Sequence, residues 1–265
     1  MPVDRERIKT LPDTQYTSSF FCFRVIVSSC MENGINTIAV WGDSILKGAV
    51  TGVSDHRFEI LDDTNSLTLA SKKLGFELIN KSVFGNIINK AQRKLNRDME
   101  RGLVCDAGII ESGGNDCDYD WTPVSENPNA PHFPRNTLGE FFRMLGEMVQ
   151  TLRQYRITPL LMTMPPLVLD RWYKTITAGQ NEANIRAFLH DDVFRLYSLH
   201  ELYSLNIVKY AHENNVQVID MRMAMLEYGN SRELMCEDGI HPNAKGYRYM
   251  ADVWIRELPK LHKEF

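Results

Sequence analysis

Residue types that can cooperate in acyl transfer stand near opposite ends of this chain. Ser44 lies in the run GDSIL (residues 42–46), and Asp238 and His241 lie in EDGIHPNAKG (residues 237–246). A serine hydroxyl is a poor nucleophile near neutral pH. It needs a base within hydrogen-bond reach and a third group to orient that base. Among the seven histidines, only His241 stands in a tight polar context, with a carboxylate three residues upstream. That spacing lets Asp238 reach the imidazole around a single turn, hold one tautomer and stabilise the imidazolium. A tetrahedral oxyanion also needs hydrogen-bond donors. The candidates are the backbone N–H of Ser44, the backbone N–H of Gly85 in VFGN (residues 83–86) and the side-chain amide of Asn115 in GGND (residues 113–116).

Each residue has a plainer reading beside the chemical one. Gly, Asp and Ser are common turn residues, so GDS alone describes a turn as well as a nucleophile. Asp43 is expected to hydrogen-bond that turn, and Asp116 to hold its own loop. Gly85 also reads as a glycine at a helix start, and Asn115 as a turn cap. His56, His132, His190, His200, His212 and His262 have no comparable carboxylate neighbour and read as ordinary structural histidines. Met223, Met225 and Leu226 read as core filler.

The elements needed to bring these residues together are visible as an alternation. NTIAVW (residues 36–41), FELINKS (76–82), DAGIIESG (106–113), ITPLLMTM (157–164) and VQVIDM (216–221) read as strands. Between them, SLTLASKKLG (66–75), NIINKAQRKLNRDMERG (86–102), a segment from Thr137 through TLGEFFRMLGEMVQTLRQY, and HELYSLNIVKYAHENN (200–215) read as helices. Thr137 and Glu140 have capping-box spacing. NAKGYRYMADVWIREL (243–258) closes the chain as a helix capped by Asn243. Alternating strands and helices imply a parallel sheet with helices on both faces, and ligands in such sheets bind beyond the carboxyl ends of the strands. GDS, GGND and the MPP turn (residues 164–166) all follow strands at that end. Two long segments, 114–136 and 165–199, interrupt the repeat. They are expected to wall or cover the site, or else to serve packing or an interaction surface.

Composition bounds the rest. The 265 residues are 43% hydrophobic and 24% charged, which fits a globular chain large enough to need no disulfide or metal. A net charge of −4 with no basic run argues against nucleic acid as a partner. The five cysteines, Cys22, Cys30, Cys105, Cys117 and Cys236, form no CxxC and fit no zinc spacing, so reduced thiols and a cytoplasmic location are expected. No apolar stretch approaches the ~20 residues of a membrane span. FFCFRVIV (residues 20–27) is interrupted by Arg24, but the following VSSC loosely resembles a lipoprotein cleavage box, leaving lipid anchoring at Cys30 as an alternative. Residues 1–30 are expected to be a peripheral extension and 31–265 a single domain.

Taken together, the GDS, VFGN, GGND and EDGIH blocks resemble the SGNH (GDSL-type) hydrolase family in type and order, over residues 36–258. The resemblance implies an α/β fold, a flavodoxin-like three-layer α/β/α sandwich around a five-stranded parallel sheet. It implies Ser44 as nucleophile, Asp238 and His241 as its partners, and Ser44, Gly85 and Asn115 as the oxyanion hole. Ile45 replaces the family's usual leucine after the serine. The expected activity is hydrolysis of a small-molecule carboxylic ester through an acyl-enzyme, with a short acyl group, such as acetyl on a carbohydrate or other polyol. No cofactor is expected, and oligomeric state is not readable. The alternatives are an acyltransferase and a non-catalytic small-molecule or carbohydrate binder on the same scaffold. A metal-dependent phosphoesterase would need D-x-H and H-x-H pairs, and an α/β-hydrolase a G-x-S-x-G elbow; the sequence contains neither.

Overall fold

The run TIAVW forms β1 (Thr37–Trp41), and its alternation divides the molecule into layers. Ile38 and Val40 join the apolar cluster on one face, while Ala39 and Trp41 join the cluster on the other. A computed structural model describes residues 31–51 and 58–265. After β1 come α1 (Ser44–Lys47), β2 (Ala49–Thr51), β3 (Phe58–Ile60), α2 (Ser66–Leu74), β4 (Glu77–Asn80), α3 (Ile88–Glu100) and β5 (Ala107–Ile110). The middle of the chain contributes α4 (Trp121–Glu126), α5 (Leu138–Gln154), β6 (Thr158–Met162), α6 (Leu169–Thr177), α7 (Glu182–Phe188) and α8 (Phe194–Glu213). It ends with β7 (Gln217–Ile219), α9 (Met221–Glu227) and α10 (Ala244–Glu257).

The main sheet has five strands in the order β4-β1-β5-β6-β7, every neighbouring pair parallel. Counted along the chain this is 2-1-3-4-5, the flavodoxin-like order, whose switch point lies between the first and third strands. Ser44 follows β1 and Asn115 follows β5, so both stand at that point. One face of the sheet is covered by α2, α9 and α10 through residues such as Leu67, Met225, Tyr247 and Trp254. The other is covered by α3, α5 and α8, with Leu95, Phe141, Leu152 and Tyr203 buried. Helix α5 buries six apolar side chains on one stripe, each contributing roughly 1.5–3 kcal/mol against exposure. Its predicted capping box is present: the Thr137 hydroxyl accepts from the Glu140 N–H, and Glu140 accepts from the Thr137 N–H at 3.0 Å.

Four features depart from the sequence reading. Segment 165–199 is not a loop: it folds into α6, α7 and the first turns of α8, which begins at Phe194 rather than residue 200. These helices pack with α4 around Trp121, Val124, Ile176 and Ile185 as a separate small core. The antiparallel pair β2 and β3, too short to show a period, was not anticipated. Met223 and Leu226 are not core filler. On α9 Met221, Arg222, Ala224 and Met225 are buried, leaving Met223 53% and Leu226 42% exposed. Among the described residues no helix is long and apolar enough to cross a membrane. The expected extension at 1–30, Cys22, Cys30 and His56 lie outside the described residues.

Candidate active site

The turn after β1 is built by close approach and local hydrogen bonds. A Cβ on Gly42 would lie 2.8 Å from the Glu111 carboxylate and 3.0 Å from the Ser82 hydroxyl, so only glycine fits there. Asp43 caps α1, its Oδ1 accepting the Ile45 N–H at 2.8 Å. This matches its expected turn-holding role. The Asp43 N–H donates to Glu111 Oε2 at 2.9 Å. Burial, reinforced by the neighbouring Asp43 carboxylate, pushes Glu111 well above the usual carboxylate range. Ser44 is thereby held at the first position of α1, 5% exposed.

Residues 235–242 form a tight loop ahead of α10. Cys236 N–H donates to the His241 carbonyl at 2.7 Å, and Gly239 turns with φ +82°. A Cβ there would meet the Trp172 nitrogen and the Val168 carbonyl, each at 2.6 Å. Asp238 Oδ1 accepts the N–H groups of Ile240 and His241, both at 3.1 Å. Its Oδ2 receives the Thr51 hydroxyl at 2.7 Å and lies 2.6 Å from His241 Nδ1. Burial raises the Asp238 pKa, but the His241 hydrogen bond and charge and the other donors outweigh it, holding the carboxyl below its ordinary range. An ionised carboxylate only accepts, so Nδ1 carries the hydrogen and, in the neutral ring, Nε2 offers its lone pair. His241 Nε2 lies 2.8 Å from Ser44 Oγ.

The three expected donors occupy different settings. The Ser44 N–H has no acceptor among the described residues, as the first turn of a helix leaves it. Asn115 donates one amide hydrogen to Asp43 Oδ2 at 3.1 Å, and among the described residues the second has no acceptor beside Ser44 in the same cavity. Asp116 holds this loop, accepting from the Gly113 N–H at 3.0 Å, the Ile88 N–H at 2.9 Å and Asn136 Nδ2 at 2.7 Å. Gly85, at φ +64°, lies on the loop after β4, which is tied to the serine turn by Val83 N–H and Asn86 Nδ2, both reaching the Gly42 carbonyl at 3.1 Å. Gly85 does not line the cavity, but its neighbour Phe84 stacks on the His241 ring at 6.1 Å.

The cavity against Ser44 measures about 60 Å³ and is walled by Met164, Pro165, Leu167, Trp172, Leu196 and Leu199, with Asp118 and His200 among its polar residues. Burial pushes Asp118 up to about 6 against the Trp121 indole hydrogen bond that favours its charged form. Four supports escaped the sequence reading. Thr51 and Phe58, the latter 5.2 Å edge-on to His241, come from the unanticipated hairpin. Arg171 sends Nη1 to the Met235 carbonyl at 2.9 Å, pairs with Glu237 at 3.1 Å and belongs to α6. Thr175, one turn on, donates to the Asp238 carbonyl at 3.2 Å. None carries a local signal, because each partner lies far away in sequence.

Comparison with known proteins gives one family. The GDSL-like lipase/acylhydrolase family matches residues 40–249. No curated protein matches the chain. Among solved structures, a lipase/acylhydrolase from Enterococcus faecalis is 19% identical, with a TM-score of 0.56, 87% of this chain and 100% of that one being covered. An acetylxylan esterase from Geobacillus stearothermophilus is 19% identical at a TM-score of 0.55, covering 85% of this chain and 94% of that one. A psychrotrophic esterase from Pseudoalteromonas, inhibited by monoethylphosphonate, is 18% identical at 0.55, covering 85% and 97%. At these identities the likeness is one of fold.

Proposed function

From a chain that belongs to the GDSL-like lipase/acylhydrolase family, and is thus a hydrolase acting on ester bonds, we propose a serine esterase in which Ser44, His241 and Asp238 act together on short acyl esters. His241 Nε2 takes the Ser44 proton as Oγ attacks the ester carbonyl. The imidazolium, stabilised by Asp238, then gives that proton to the leaving alcohol. Water activated by His241 hydrolyses the acyl-enzyme. The Ser44 N–H and the Asn115 amide hydrogen, both at the cavity, receive the oxyanion, with the Gly85 N–H on the adjoining loop as the third donor the family resemblance implies. The observation that carries this reading is the unbroken line of contacts, Ser44 Oγ to Nε2 at 2.8 Å and Nδ1 to Asp238 at 2.6 Å.

The acyl group is acetyl or little longer, and the alcohol a carbohydrate or other polyol. The cavity against Ser44, about 60 Å³, is small, which favours a short acyl group over a fatty chain. Resemblance in fold to an acetylxylan esterase points the same way. The complete hydrogen-bonded trio favours this reading over a non-catalytic binder. A series of 4-nitrophenyl esters from acetate to laurate tests it. The rate should be highest for acetate or propionate and vanish in Ser44→Ala. A maximum at long chains would overturn the short-acyl reading, and activity surviving in Ser44→Ala would overturn the nucleophile.

A further inference from the structure

His200 on α8 lines the same cavity as Ser44, Asn115 and His241. Behind it lies Arg222 of α9, only 3% exposed. Arg222 sends Nη1 to the Pro165 carbonyl at 3.3 Å and to His200 Nδ1 at 3.2 Å, and Nη2 to the Glu201 carboxylate. A guanidinium has five donors and no acceptor. His200 Nδ1 must therefore be the acceptor, the ring is neutral, and Nε2 carries the hydrogen. Burial, followed by the Arg222 charge, holds the imidazolium off, with the pKa down to about 3. Among the described residues Nε2 has no acceptor, and it is not one of the polar atoms sealed from solvent without a partner. A buried arginine paired with the half-buried Glu201 thus fixes a neutral N–H donor in the wall of the reaction chamber.

We propose that His200 is a specificity residue whose Nε2–H donates to a hydroxyl or ring oxygen of a polyol ester, beyond the ester group itself. The inference rests on the esterase reading above and deepens its substrate class. A hydroxyl both accepts and donates, and the cavity holds an acceptor for its hydrogen in the Asp118 carboxylate. Trp172, Leu196 and Leu199 supply apolar faces for the carbon frame. An aryl acetate has no such oxygen and leaves the His200 N–H unused.

The test compares kcat/KM for a monoacetylated pyranose and for 4-nitrophenyl acetate in the full chain, in His200→Phe and in His200→Gln, which keeps an N–H donor. In His200→Phe the loss on the acetylated pyranose should exceed that on the aryl acetate by about 10- to 100-fold, and His200→Gln should recover most of the difference. Equal losses on both substrates overturn the inference, as does a wild type that cleaves the aryl acetate and not the acetylated pyranose. Wild type that cleaves neither and resists a fluorophosphonate probe overturns the esterase reading itself, and His200's role with it. If the variants fail to fold, nitrogen-15 NMR of the wild type decides. A neutral Nε2–H ring at pH 6 supports the inference, and a charged ring or an Nδ1–H tautomer contradicts it.

Discussion

The two sides of the site are held by different means. The Ser44 turn is held from beneath by the sheet: Gly42 fits against Glu111, Asp43 caps its own helix, and the loops after β4 and β5 bond directly to these residues. The Asp238–His241 loop is held from the side, by α6 through Val168, Arg171 and Thr175 and by β2 through Thr51. A nucleophile at a sheet's switch point is rigid by its position in the fold. A base on a loop between helices needs added structure to aim it, and here the inserted helices supply it.

Substitutions at the reacting groups should have the largest effect. Ser44→Ala and His241→Ala are each expected to lower kcat by on the order of 10⁴–10⁶-fold, with the melting temperature little changed. Asp238→Asn keeps the shape but donates where it must accept. We expect about a 10³–10⁴-fold loss, read in single-turnover kinetics. Asn115→Ala removes one oxyanion donor and should cost about 10²–10³-fold, or roughly 3–4 kcal/mol, in kcat. A near-normal rate there would break the assignment on the serine side.

Arg171→Ala sharpens the contrast. It leaves the serine turn intact and frees the carbonyls of the base loop, so we expect about a tenfold fall in kcat and about 1–3 kcal/mol of stability, seen by calorimetry and turnover. An equal disturbance of both sides, such as altered exchange protection at Ile45 and at Ile240 alike, would blur the distinction. The last effect concerns Asp118 and touches stability alone. Its folded pKa of about 6 lies above the unfolded value near 3.8, so between those pH values the unfolded chain loses a proton that the folded one keeps. Its contribution to stability is full below about 4 and is lost as pH rises through about 6, at most about 3 kcal/mol in all. Asp118→Asn, which still accepts from Trp121, should remove this part of the slope in pH-dependent unfolding.

The same contrast explains what the sequence revealed. Gly-Asp-Ser, Gly-Gly-Asn-Asp and Asp-x-x-His each combine within four residues, and each follows or precedes an element with a clear period, so a parallel sheet and the meeting of Ser44 with His241 could be anticipated, while the flavodoxin-like arrangement came from the family resemblance. Thr137–Glu140 and Asn243 were legible for the same reason. Arg171 and Thr175 were not, because their bonds to the base loop span about 60 residues. The short helices of 165–199 stabilise one another through Trp121 and Ile185 rather than by any long amphipathic run. His200 read as an ordinary histidine because the arginine that sets its tautomer lies 22 residues away.

The meeting of one hydroxyl, one imidazole and one carboxylate is tested most directly by mapping a fluorophosphonate adduct by mass spectrometry in wild type, His241→Ala and Ser44→Ala. The account predicts a single adduct on Ser44, formed far more slowly in His241→Ala and absent from Ser44→Ala. A folded wild type that stays unlabelled, or an adduct on any other residue, would contradict it.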